Sequence, residues 1–513
     1  MDRSPAPPGG VSADRFRRLA LGVLMPGFNG SMGPGWLTRA IADGLGGVML
    51  VAQNAPDLET TRALTGALHA AGPVLISVDE EGGDVSRLQA ASGSALPGAA
   101  ALGAADDLAL TERAGTALGG LVRATGIDLD LAPVLDVASE PTNPVIGVRS
   151  FGPDPERVSR QGAAFLAGLH SGGVAGCGKH FPGHGATTTD SHLELPFLDV
   201  TAEELTSRDL PPFHAAGTAG LDAVMTGHLH IPALGPRPAS LEPAVTDLVR
   251  TLPGGADRVI VTDALDMAAV SDGDGPGLAV ACVRALQAGA DLLCLGTTSG
   301  RDDEAMLTTA VDGVLRALRC GELDPAALAA SIARLDGLRD RVARYQATSP
   351  VPDLEEAAAA VATVGRDIAR AAVQVARGEV RLHAARSGGP PPVLVDLRRR
   401  YNQATGRVAP GFANALAERF PDARVVLAGA DDAPALVDVL DGLGDVPVMA
   451  LTREPLADLR EQEDLDLLLD RRGDAVVLHG GMAEAAPAAP RLVLAHGVGR
   501  ANAEAALRLV LGD

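Results

Sequence analysis

The stretch Gly173-Val174-Ala175-Gly176-Cys177-Gly178-Lys179-His180-Phe181-Pro182-Gly183-His184-Gly185 moves from apolar to polar within a few residues. Gly173–Gly178 predicts a short buried strand, and Gly183, Gly185 and the Thr187–Thr189 run predict a loop. Lys179, His180, His184, Asp190 and His192 fall within fourteen residues, in a chain with only 11 histidines. One histidine on a turn would signify little. Five ionisable side chains where a strand gives way to a glycine-rich loop point to chemistry.

The same form recurs along the chain. Apolar runs at Leu19–Met25, Gly47–Val51, Pro73–Val78, Ile127–Ala132, Val174–Cys177, Ala223–Thr226, Val259–Thr262 and Asp291–Leu295 are spaced by amphipathic segments such as Asp154–Ser171, Ala202–Gly217 and Leu278–Ala288. Eight βα units in about 300 residues predict a (β/α)8 barrel, whose strands are buried on both faces. Polar residues follow the runs: Asp79-Glu80-Glu81 the third, Asp136 the fourth, Lys179-His180 the fifth, His228 and His230 the sixth, and Asp263 the seventh. Any one such carboxylate could be a helix N-cap. Together they are expected on the C-terminal face, where this fold holds its active site.

The chain of 513 residues is long enough for two or three domains. We place the barrel at 12–345, a linker at 346–353 around Ser349-Pro350-Val351-Pro352, and a smaller α/β sandwich at 354–513. The last opens with an Ala-rich helix over Leu354–Arg377. It continues with strands at Pro392–Asp396, Arg424–Ala428, Val446–Ala450, Asp474–Leu478 and Arg491–Ala495, with a helix at Ala433–Leu440 between them. With aromatics at 2%, the core must be built from Ala, Leu and Val.

A formal net charge of −22 argues against a nucleic-acid partner. No apolar run is long enough to span a membrane, and Met1–Gly10 has no apolar core of a leader, so a cytoplasmic protein is expected. Cys177, Cys282, Cys294 and Cys320 are too far apart for a zinc or disulfide frame and read as free thiols. Oligomeric state is not legible.

The motifs together resemble glycoside hydrolase family 3, in its β-N-acetylglucosaminidase (β-N-acetylhexosaminidase) branch. The carrying stretches are Val78–Gly83, Leu131–Val137, Gly147–Phe151, Lys179–His192, Val224–His228 and Val261–Met267, in the family's order over most of residues 15–300. The resemblance implies retaining hydrolysis of terminal, non-reducing β-linked N-acetylglucosamine, with cell-wall muropeptides in peptidoglycan recycling as the substrate class. It implies Asp263 as nucleophile and His192 as acid/base, oriented by Asp190. Asp79, Arg149, Lys179 and His180 would bind the sugar. No metal and no cofactor is implied, and the only expected partner is the small carbohydrate substrate.

Several alternatives stand beside this reading. Asp190-Ser191-His192 could be an ordinary Asx turn, Arg149 a structural ion pair, and His184 and His228 either core or site-lining residues. Asp136 is expected behind the sugar-binding residues, and Asp266 in the turn or helix after Asp263. Asp84 stands where the family usually has a basic residue, which leaves the preference beyond the cleaved bond open. A β-N-acetylglucosaminide phosphorylase on the same scaffold is the runner-up. A metal-dependent barrel hydrolase and a non-catalytic sugar-binding protein are weaker rivals.

Overall fold

Eight short parallel strands surround the first core: β1 (Leu24–Met25), β2 (Gly47–Leu50), β3 (Leu75–Val78), β4 (Leu129–Asp130), β5 (Ala175–Phe181), β6 (Ala223–Thr226), β7 (Val259–Thr262) and β8 (Leu293–Cys294). The computed structural model describes residues 9–189, 191, 194–271, 276–296, 300–382, 389–399, 410–428 and 435–512. Strands β2 to β7 pair in chain order, and β1 pairs with β8. Two hydrogen bonds close the ring: Met49 N–H to the Pro26 carbonyl at 3.0 Å and Thr262 N–H to the Leu292 carbonyl at 3.1 Å. The result is the (β/α)8 barrel expected from the apolar runs.

Side chains alternate along each strand. Met49, Leu75, Leu129, Ala175, Cys177, Met225 and Val261 fill the barrel interior. Their neighbours Val48, Leu50, Ile76, Val78, Val224 and Ile260 pack outwards against the helices. Leu, Val, Ala, Ile and Met make up most of this packing, with Phe28, Phe151, Phe165, Phe181 and Phe213 buried in the outer layer.

The N-terminal end of the barrel is closed by the helix Pro325–Thr348, whose Leu335, Leu338 and Val342 join the interior cluster. Its arginines reach aspartates that precede alternate strands. Arg341 donates to Asp222 before β6 at 3.0 Å, and Arg334 to Asp291 before β8 at 3.0 Å. The same carboxylates accept backbone N–H groups from the preceding strands, Gly176 at 3.1 Å and Ile260 at 2.9 Å. Asp291→Ala would leave the Ile260 N–H and the buried Ser331 hydroxyl without their acceptor. The expected cost is about 2–4 kcal/mol of barrel stability. It can be read by denaturant unfolding through Trp36, the single tryptophan, which packs on the barrel core. A loss below about 0.5 kcal/mol, the scale of a neutral surface change, would contradict it.

The second sheet contains β9 (Gln374–Arg377), β10 (Val393–Asp396), β11 (Val425–Leu427), β12 (Val448–Thr452), β13 (Val476–His479) and β14 (Leu492–Leu494). Its order is β11-β10-β12-β13-β14-β9, with only β9 antiparallel. Helices Gly411–Arg419 and Arg500–Leu511 pack on one face through Phe412, Leu416 and Leu507. Helices Leu436–Asp441 and Leu459–Arg471 pack on the other through Val439, Leu465 and Leu468. This is an α/β sandwich.

Four expected boundaries are corrected. Most of the run Leu19–Met25 belongs to the helix Gly9–Gly22, because Phe16, Leu19 and Ala20 share the helical face turned to the core. Strand β5 extends to Phe181, so Lys179 and His180 are strand residues and not loop residues. The helix expected over Leu354–Arg377 ends at Ala372, since Val373 and Val375 suit a strand and Gln374–Arg377 finds an open edge beside β14. The helix before the linker runs on to Thr348, and the break falls at Ser349–Asp353, where Pro350 and Pro352 forbid helix. The expected helix Ala433–Leu440 lies partly outside the described residues, within which it spans Leu436–Asp441.

The helix Leu354–Ala372 joins the two halves. Its face of Leu354, Ala357, Val361, Val364 and Ile368 packs on the barrel helix Leu108–Ala124, and it also touches Arg500–Leu511 of the second domain. No described helix is long and apolar enough to cross a membrane.

Candidate active site at the carboxyl ends of the barrel strands

Strand β3 ends at Val78, and alternation then turns Asp79 and Glu81 to one side and Glu80 to the other. Lys179, near the end of β5, reaches between the first two. Its Nζ lies 2.6 Å from Asp79 Oδ1 and 2.6 Å from Glu81 Oε1. Arg149, closing the short helix Gly147–Arg149, forks the same Glu81 through Nε at 2.9 Å and Nη2 at 2.8 Å. Lys179, Glu81 and Arg149 are buried.

Burial alone would disfavour every charge here, but the pairing outweighs it. Lys179 and Arg87 hold the Asp79 carboxyl below its usual range, and Arg149 and Lys179 do so more strongly for Glu81. In return the carboxylates push Lys179 and Arg149 upwards. The cluster is ionised throughout the neutral range. Glu80 faces away, is raised by burial, and accepts the N–H groups of Arg87 and Leu88 at 2.8 and 2.9 Å. It shapes the loop.

His180 stands beside this cluster. Its Nδ1 lies 2.7 Å from Asp136 Oδ2, and Arg149 Nη2 lies 3.3 Å from its Nε2. Arginine only donates, so Nε2 is the accepting nitrogen and Nδ1 carries the proton given to Asp136. Asp136, fully buried after β4, also accepts the backbone N–H groups of His180 and His184, the latter at 2.7 Å. Burial opposes its ionisation, but His180 and these donors hold its pKa below the ordinary value.

Asp263 follows β7 directly and is half-buried. Its N–H donates to the Thr226 carbonyl at 2.9 Å, and its Oδ1 accepts the Ala264 N–H at 2.8 Å. His228, after β6, braces this turn. Its Nε2–H donates to the Ala264 carbonyl at 2.9 Å, and the Ser240 hydroxyl donates to its Nδ1 at 2.7 Å. Asp266 lies in the following turn and pairs with Arg301.

Asp79, Arg149, Lys179 and His180 are thus drawn into one contact network, while Asp263 stands on its own strand end. Asp190 and His192 lie outside the described residues. Their neighbour Ser191 is described, and its hydroxyl is 3.1 Å from His184 Nε2. His184 is a buried imidazole whose Nδ1 also contacts Thr187 Oγ1 at 2.7 Å. Burial, then the nearby His180, brings its pKa down to about 4.

Glu81 is the residue that sequence reasoning passed over. The strand-end alternation that pairs it with Asp79 is the signal that would have found it. Asp84, whose effect the sequence left open, is placed by the structure. Its carboxylate turns to the second domain, 3.1 Å from Arg453 and 3.1 Å from the Val498 N–H.

His479 and His496 in the second domain resemble His184, each brought down to about 4 by burial. An imidazole that titrates near ~6.5 unfolded and near 4 folded is protonated first in the unfolded chain. Stability is therefore full above about 6.5 and declines as pH falls towards 4, by on the order of 3 kcal/mol per histidine. The melting temperature is expected to fall steeply between pH 7 and pH 4.5, roughly the window between those two titrations. A flat profile there would refute the burial of these rings.

Comparison with known proteins shows the family and the fold. Over 272 residues the chain is 41% identical to beta-hexosaminidase LpqI of Mycobacterium tuberculosis, covering 51% of this chain and 67% of that protein. The solved glycoside hydrolase family 3 β-N-acetylglucosaminidase of a Paenibacillus species superposes with a TM-score of 0.84 at 28% identity, covering 97% of each chain. The solved M. tuberculosis LpqI matches with a TM-score of 0.56 at 34% identity, over 66% of this chain and 97% of that one. About a third of the present chain thus has no counterpart there. Residues 39–338 match the glycosyl hydrolase family 3 N-terminal domain. With its barrel and its strand-end cluster of charges, the chain belongs to glycosyl hydrolase family 3 and is a glycoside hydrolase.

Proposed function

We propose that the enzyme removes terminal, non-reducing β-linked N-acetylglucosamine with retention of configuration. Asp263 is the nucleophile that forms the glycosyl-enzyme, and His192, assisted by Asp190, protonates the leaving oxygen and then activates water. The observation that carries the reading is the largely buried network of Lys179, Asp79, Glu81, Arg149 and His180 at the carboxyl end of the barrel strands. A sugar offers neutral hydroxyls and an amide, and such groups are held by charged hydrogen-bonding side chains already fixed by one another. The similarity to proteins named β-hexosaminidase and β-N-acetylglucosaminidase supports the acetamido sugar. Muropeptides of peptidoglycan recycling are the natural substrate class that the family resemblance favours.

The test is turnover of an aryl β-N-acetylglucosaminide beside the matching β-glucoside, with and without phosphate. Fast release from the acetamido sugar alone, indifferent to phosphate, is the expected result. A phosphate-dependent rate with a sugar phosphate as product would make the enzyme a phosphorylase. Preference for the glucoside would overturn the assigned sugar.

A further inference from the structure

Asp84 sits at the tip of a tight hairpin. Gly82 and Val85 bridge antiparallel, Glu81 N–H donates to the Val85 carbonyl at 3.0 Å, and Val85 N–H returns to the Gly82 carbonyl at 3.2 Å. Gly82 and Gly83 hold φ of +79° and +60°, a backbone that only glycine adopts easily. The Asp84 side chain is only 1% exposed. A carboxylate taken out of water is strongly destabilising unless it is paired. Both of its partners come from the other domain: Arg453, just after β12, and the Val498 N–H, between β14 and the helix Arg500–Leu511. Arg453 is buried too, and its own N–H is held by Glu461 at 2.5 Å.

Three residues before Asp84, on the same hairpin, Glu81 holds both Lys179 and Arg149. A shift of the tip therefore moves the carboxylate on which the two cations are registered. We infer that Asp84 and Arg453 form a positioning clasp through which the second domain sets the geometry of the barrel's sugar-binding cluster. The clasp assigns a task to the part of the chain that has no counterpart in the solved LpqI. Its effect on sugar affinity rests on the function proposed above; its effect on the hairpin does not.

The test compares Asp84→Asn, Arg453→Gln, the double variant and the conservative Arg453→Lys in the full chain. Each of the first two is expected to raise KM for the aryl β-N-acetylglucosaminide, and to weaken inhibition by free N-acetylglucosamine, by about tenfold. kcat should stay within about threefold. The double variant should be no worse than either single, because the pair acts as a unit. Arg453→Lys, which keeps the charge, should recover most of the affinity. Amide hydrogen exchange over residues 79–88 should quicken in both singles. Unchanged exchange in that segment, or a lowered melting temperature with unaltered KM and inhibition, would overturn the clasp and leave only a structural tie. If the wild-type enzyme ignores acetamido sugars, the substrate reading fails. The exchange measurement still decides the clasp.

Discussion

Asp263→Ala is expected to lower kcat on every β-N-acetylglucosaminide by about 10⁴-fold or more, activated and unactivated alike. The argument is positional and electrostatic. Asp263 leaves β7 at the C-terminal face, is half-buried, and has its backbone held by the Thr226 carbonyl. Its Oδ1 already accepts the Ala264 N–H, and Ala264 is in turn fixed through its carbonyl by His228. A carboxylate so oriented offers one oxygen to a developing oxocarbenium centre without rearranging. In the retaining mechanism proposed above, both steps pass through that oxygen, so no leaving group can compensate for its loss. Azide added to the alanine variant should restore some turnover of an activated substrate, giving a glycosyl azide of inverted configuration. Residual activity within about tenfold of the parent would remove Asp263 from the role.

His192→Ala, by contrast, is expected to discriminate between substrates. Substrates that release a sugar depend on protonation of the leaving oxygen and should lose about 10²–10⁴-fold. Aryl glycosides with acidic phenols leave unaided and should lose far less in the glycosylation step. His192 itself lies outside the described residues, but Ser191, its neighbour in sequence, is described and contacts the site. His184 meets Ser191, between Asp190 and His192, and its backbone N–H is held by the same Asp136 that orients His180. Equal losses on both substrate types would exclude a proton-donating role.

How much of this was legible before folding depends on the range of the interaction. The eight runs from Leu19 to Leu295 mark the barrel because a strand buried on both faces must be apolar throughout, and composition records that locally. The turn of polarity at Val78–Asp79, Gly178–Lys179 and Thr262–Asp263 marks the active face for the same reason. The ends of elements were less legible. β5 continues through Lys179 and His180, although a lysine is an unlikely buried strand residue, because carboxylates from another strand neutralise it there. The strand Gln374–Arg377 was hidden in a helical pattern because β pairing depends on a partner, here β14, more than a hundred residues on.

The sequence by itself determined the barrel, the sandwich and the side on which ionisable groups collect, since periodicity and strand-end position are local properties of the chain. Only the tertiary structure decided which charges meet. Lys179 finds Asp79 across 100 residues, and Asp84 finds the Val498 N–H across 414. From its position alone, Asp84 left the preference beyond the cleaved bond open. Burial against another domain makes it a partner of Arg453, because a carboxylate removed from water must pair with whatever cation the fold brings to it.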